Sequence, residues 1–199
     1  MASSSFARLL RHAASIDAGV MEDPVVLMRF LHGVEYGDPR WIPPLGASTT
    51  QLAREFNCKL SLNAGSLCCL FCETREAAVE RLISTVESNL EQLSPHVSQE
   101  RYTTFVELLP DFARRAPMYI GGWRAADAFV FFEGYAAGCE LIGVSVEEER
   151  AALERTQSVV RERTGLPGRW DRVLDVMEGE RGRGIEQFLQ DFQSANPAP

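Results

Sequence analysis

The chain has 199 residues, 45% hydrophobic and 24% charged, the make-up of an ordinary globular protein large enough for one good core. Its formal charge is −8, and the basic side is 19 Arg against the single Lys59, a bias that fits a GC-rich bacterial genome. That balance disfavours nonspecific attraction to nucleic acid or anionic lipid and favours a basic partner, while five cysteines, three of them crowded at Cys68, Cys69 and Cys72, do not read as a disulfide framework.

The first residues, Met1 to His12, hold no apolar h-region and no cleavage signature, so a cytoplasmic protein is expected. Phe6, Leu9, Leu10 and Ala13 recur at helical spacing and predict a helix over residues 6 to 16. Asp23-Pro24 opens a second helix, with Asp23 as cap and Pro24 in the first turn; it carries Val25, Leu27, Met28 and Leu31 and ends near Gly33. His12 and His32 lie on these helices with no Cys, Asp or His at ligand spacing, and read as packed or solvent-facing side chains. Pro39, Pro43 and Pro44 then predict an extended surface strap over residues 37 to 46, anchored to the core by Trp41.

Residues 56 to 63 and 66 to 72 flank Ala64-Gly65 and suggest a small β-hairpin, although the continuous apolar run from Leu67 to Cys72 also suits a buried helix. Cys69-Leu-Phe-Cys72 has Cys-x-x-Cys spacing. A structural zinc needs four ligands, however, and Cys58, Cys68, His96 and Cys139 are only distant recruits, so reduced packing thiols are the expectation and no metal or cofactor is assigned. From Thr74 to Leu93 the apolar residues Val79, Leu82, Ile83, Val86, Leu90 and Leu93 recur every three or four positions, the clearest helical pattern in the chain. Its other side carries Glu76, Glu80, Glu87 and Glu91 at offsets 0, 4, 11 and 15, one acidic stripe with Glu73 at its start. These five are the candidate partner-binding residues. Ser94-Pro95 ends that helix, and Tyr102, Phe105, Val106, Leu109 and Phe112 predict another over residues 99 to 114, with Pro110 as a kink and Arg114-Arg115 complementing its C-terminal dipole.

Trp123 to Ile142 is free of proline and apolar nearly all round, which requires a helix buried on most sides. Asp127, Glu133 and Glu140 punctuate it and exclude a membrane span. Gly134 and Gly138 form Gly-x-x-x-Gly, which on such a helix permits close approach of another backbone. Pro117-Met-Tyr-Ile-Gly121 ahead of a helix resembles the start of the ATP-binding domain of gyrase-type topoisomerases. That family's helix offers a Glu and an Asn, whereas Phe132-Glu133-Gly134-Tyr135-Ala136 supplies no Asn and no Asp-x-Gly-x-Gly loop follows, so no role is carried over. An enzyme built on this helix would use Glu133, Glu140 and Asp127 with Tyr119, since burial raises a carboxyl pKa; pairing with Arg124 or another arginine is the competing role.

Ser145-Val-Glu-Glu148 reads as a capping box for a helix to about Thr164; a turn at 165 to 168, a short helix at 169 to 178, a joint at 180 to 184, a closing helix at 185 to 192 and a frayed tail from 194 follow. The whole predicts a mainly α, single-domain helical bundle around the helix at about 123 to 142. No catalytic, nucleotide or metal motif is present. The functional expectation is therefore a non-enzymatic acidic protein that binds a basic protein partner, in the class of immunity proteins, antitoxins and chaperones, with no nucleic acid and no membrane. The alternative is a small enzyme or small-molecule-binding domain, which would show a pocket holding Glu133 or Glu140 beside Tyr119, Tyr135 or an arginine.

Overall fold

The computed structural model describes residues 2–92, 104–105, 107–109, 112, 124–178 and 183–197, and among these every regular element is helical. Helix α1 spans Ala2–Ile16, and a 3-10 turn, Ala18–Val20, leads into α2, Pro24–Gly37. Asp23 caps α2 as expected, its carboxylate accepting from the amides of Val25 at 2.8 Å and Val26 at 3.3 Å. A second 3-10 turn, Pro39–Trp41, runs directly into α3, Ile42–Glu55. The expected strap is thus helical. Pro39 follows the capping Asp38, and Pro43 and Pro44 fall in the first turn of α3, where a missing N–H has no intrahelical acceptor to lose. Trp41 is an anchor, fully buried against Phe6 with ring centroids 5.8 Å apart.

The hairpin is corrected as well: residues 64 to 71 form helix α4, Ala64–Phe71. Asn63 caps it by accepting from the Ser66 amide at 2.9 Å, and the first turn presses so close to α2 that a Cβ on Gly65 would lie 2.4 Å from the Pro24 carbonyl oxygen. Thr74 caps α5, Arg75–Ser88, which is shorter than its apolar pattern suggested because Asn89 ends it and a 3-10 turn, Leu90–Gln92, follows. Residues 105, 107 to 109 and 112 are helical, with Phe105, Leu108, Leu109 and Phe112 buried. The expectations placed on Leu93, His96, Tyr102, Val106, Pro110, Arg114-Arg115 and the run from Pro117 to Trp123 lie outside the described residues.

The central helix, α6, is Ala125–Leu141. Its start is capped from a distance, as the amides of Ala125 and Ala126 donate to the Asp175 carboxylate at 2.7 and 3.4 Å. Helix α7, Glu147–Thr164, has three glutamates in its first turn and ends on Gly165, whose φ of +67° is the left-handed stop that glycine adopts without strain. The expected capping box does not form: the N-cap is Val146, which has no capping side chain, and Ser145, one residue earlier, accepts only from the Glu147 amide at 3.4 Å. Helices α8, Trp170–Glu178, and α9, Gly184–Ala195, complete the chain, and Asn196 ties its end to α7 by donating to the Ala152 carbonyl at 3.3 Å.

Helix α6 stands between two apolar clusters. Val130 and Ala137, seven residues apart and so on one face, join the cluster of α1 to α5, while Ala128, Phe131, Phe132, Tyr135 and Cys139 join the cluster of the 105-to-112 stretch and α7 to α9. The tightest contact is α2 against α6. Gly33 and Gly37 of α2 meet Gly134 and Gly138 of α6 so closely that a Cβ would lie 2.0 Å from the Phe131 oxygen at Gly33 and 2.0 Å from the Phe30 oxygen at Gly134. Gly33 therefore does not end α2; it and Gly37 are the surface on which α6 rests.

Candidate functional site

Helix α5 presents its acidic stripe as the spacing implied. Ala78, Val79, Leu82, Thr85 and Val86 are buried, and Glu73, Glu76, Glu80 and Glu87 are exposed. Glu91 is exposed too, on the 3-10 turn beyond the end of α5 rather than on the helix itself. Among the described residues no cation pairs with any of these five. The helix is fixed against α3 at both halves: Arg81 is paired with Glu55, and Asn89 donates to the Gln51 side-chain oxygen at 2.9 Å and to the Thr85 carbonyl at 2.8 Å. Donation from Gln51, then from Arg81, holds the Glu55 carboxyl below its ordinary value, so that acid stays charged and its pair closed.

Sequence reasoning missed the apolar corner beside the stripe. Leu70 and Phe71, the last residues of α4, are 64% and 47% exposed, and Leu60 is 67% exposed. Phe71 stacks on Phe56 at 4.9 Å and 15°, which holds its ring at the surface instead of in the core. Only Cys72 separates Phe71 from Glu73, and Thr74, the cap of α5, follows at once, so apolar and acidic groups share this corner. The signal in the sequence was the unbroken run Leu67 to Cys72, which an eight-residue helix cannot bury on all sides. Cys68 is buried and its thiol is pushed up to about 12, chiefly by burial; Cys69 is exposed, Cys72 is half-buried, and all five cysteines are free.

The carboxylates of α6 are held mainly by arginines. Asp127 is buried and accepts from Arg29 at 2.5 Å, with burial raising its pKa against the pull of Arg29 and Arg124. Its environment belongs to a set: Asp38 with Arg40, Asp171 with Arg169 and Asp191 with Arg163 are likewise buried acids in charge-assisted pairs, at 2.6, 2.6 and 2.8 Å. Glu140 is 43% exposed and lies 3.4 Å from Arg150 and 3.8 Å from Arg8. Glu133 is different, since its side chain is 13% exposed and, among the described residues, the basic groups beside it are the His12 ring at 3.5 Å and Arg150 at 3.8 Å. His32 lies 3.0 Å from Glu35. Tyr119 is outside the described residues, so Glu133, Glu140 and Asp127 are the members of that proposed set that can be placed. They do not converge on one point: Asp127 belongs to a cleft of about 220 Å³ with Arg124, Arg169 and Arg172, and Glu133 to another of about 220 Å³ with Arg150. In the first, each arginine is matched, Arg124 by Asp175 at 3.3 Å, Arg169 by Asp171 and Arg172 by Asp17.

No described helix is long and apolar enough to cross a membrane. Comparison with protein-family models, curated proteins and solved structures gives no match.

Proposed function

We propose that the protein is a non-enzymatic binding domain that docks a basic protein partner on the α5 face, with Leu70 and Phe71 as the apolar anchor and Glu73, Glu76, Glu80, Glu87 and Glu91 as the acidic flank. The observation that carries this reading is that all five carboxylates are exposed with no cation paired to them among the described residues, and that the stripe starts at Glu73, two positions after the exposed Leu70-Phe71. Exposed aromatic and aliphatic anchors supply affinity when they are desolvated, and surrounding charge selects the partner and speeds association. The net charge of −8 acts in the same sense at longer range. By analogy of class alone, its small size, acidic charge and lack of catalytic motifs place it with immunity proteins, antitoxins and chaperones of secreted proteins.

The test is a Glu80→Lys/Glu87→Lys double variant, with the partner recovered from the native host by pulldown. Folding is expected to be retained, because exposed charges contribute little and Glu76 gains a favourable neighbour four residues on, worth about 0.2–0.5 kcal/mol. Association with the partner slows, and it slows more at low salt than at high salt. Association at the wild-type rate would reduce the stripe to a solvated face and end this reading.

A further inference from the structure

We propose that the cleft between α6, α7 and α8 is a binding site for a small organic cation, an ammonium group carried on a single-ring apolar body. Its apolar lining is Phe129, Phe132, Leu153 and Trp170, and its acidic groups are Glu133 and Glu154. At about 220 Å³ it is smaller than the roughly 300–1,000 Å³ of drug-sized sites and larger than the ~150 Å³ that accommodates benzene, which sets the scale of the ligand at one ring.

Glu133 decides the charge. No described residue donates a hydrogen bond to its largely buried carboxylate, and the nitrogen nearest to it, Nε2 of His12 at 3.5 Å, is itself buried without a hydrogen bond. Arg150 stands farther away, 3.8 Å from Glu133, and is shared with the exposed Glu140 at 3.4 Å. A buried carboxylate without donors is costly, and an ammonium brings three N–H donors to it. Gln157, the remaining polar group of the cleft, is already committed: it donates to the Gly168 carbonyl at 2.7 Å and accepts from the Trp170 amide at 2.6 Å. The rings favour the same ligand. Phe129 already serves as a cation platform, with the Arg169 guanidinium 3.7 Å over its centroid, and Trp170 is held rigid by stacking on Phe188 at 4.2 Å. An anion would meet two carboxylates against the single Arg150 of the described lining, and a neutral ligand would bring Glu133 at most an uncharged donor, weaker than a charge-assisted one. This site uses none of the residues assigned to the protein partner, so either can fail without the other.

The test is calorimetric titration of the full chain with benzylammonium, benzyl alcohol and benzoate, three probes of similar shape and different charge, with the Trp170 indole N–H followed by NMR. Benzylammonium is expected to bind saturably at millimolar concentrations and to shift the Trp170 signal; benzyl alcohol binds at least about tenfold more weakly, as expected for loss of a charge-assisted contact, and benzoate does not bind. Glu133→Gln lowers benzylammonium affinity about tenfold and leaves benzyl alcohol unchanged, which a merely structural role would not do. Arg150→Gln, at the exposed rim, tightens benzylammonium binding by removing the competing cation and provides the reading if Glu133→Gln does not fold. Absence of saturable binding, equal binding of the three probes, a Trp170 signal that does not move, or unchanged benzylammonium affinity in a folded variant overturns the proposal.

Discussion

A Cβ on Gly134 would stand 2.0 Å from the Phe30 carbonyl oxygen, and one on Gly138 would stand 2.5 Å from the Val34 oxygen. The obstacle in each case is backbone, which cannot rotate away as a side-chain tip can, so even the smallest substitution forces α2 and α6 apart. Overpacking in cores typically costs about 1–3 kcal/mol, and Gly134→Ala is expected at or above the upper end of that range in urea denaturation. Gly46 is the matched control: it lies inside α3, is exposed, and has nothing within 4 Å of its missing Cβ. Gly46→Ala should stabilise the protein by up to ~1 kcal/mol through helix propensity and loss of unfolded-state entropy. A Gly134→Ala variant as stable as wild type would refute the close backbone contact. Gly-x-x-x-Gly in α6 was readable from sequence as an approach surface, but its partner, Gly33-x-x-x-Gly37, was read as a helix end because nothing local distinguishes a glycine that stops a helix from one that seats another.

Helix α4 shows how a short element is decided. Eight residues are too few for stability in isolation, and an apolar run of this length suits strand or helix equally. What tips it is the Asn63 cap together with the burial of Leu67 and Cys68, both fully inaccessible. Asn63→Ala should therefore cost about 1 kcal/mol in global unfolding, measured by the shift in denaturant midpoint, and should loosen the exposed corner of Leu70 and Phe71 that α4 carries. An unchanged midpoint would mean that packing alone holds α4. Pro39 before α3 and Pro43 and Pro44 within it teach the same lesson from the other direction. Three prolines argue against a helix interior, yet at a helix start they remove donors that had no acceptor, and only the boundary at Trp41 reveals which case applies.

At the scale of the whole molecule, two apolar clusters meet across α6, and each contains a thiol that burial keeps protonated. Burial pushes Cys68 up to about 12 and Cys139 up to about 11 from an ordinary value of 9.0, and pushes Tyr135 higher still than its ordinary value. The unfolded chain releases these protons at lower pH than the folded one. Above pH 9 the folded state binds more protons than the unfolded state, and stability falls as pH rises. The contribution of the two thiols is complete below pH 9 and is lost between there and about 12. Urea midpoints measured at pH 7, 9 and 10.5 should stay level over the first interval and drop over the second. Cys139→Ala should flatten that drop, and an equally steep decline in the variant would assign the effect to other groups.

The helical class, the buried central helix, the Asp23 cap, the stop near Thr164 and the exposed stripe on α5 were determined by sequence alone. All of these are local: caps, glycine stops and a repeat near 3.6 residues act within a turn or two and read the same in any surroundings. Tertiary structure alone decided that Gly33 and Gly37 receive Gly134 and Gly138, that Arg29 reaches Asp127 across 98 positions of sequence, and that Asp175 caps a helix some fifty residues earlier. It also decided that Glu133 borders an aromatic cleft while Glu140, two helical turns on along the same face, lies at the surface. The physical reason is that periodicity states which side of a helix is apolar, whereas the partner of that side, and the space left between them, depends on how separate helices of unequal length and side-chain size close on one another.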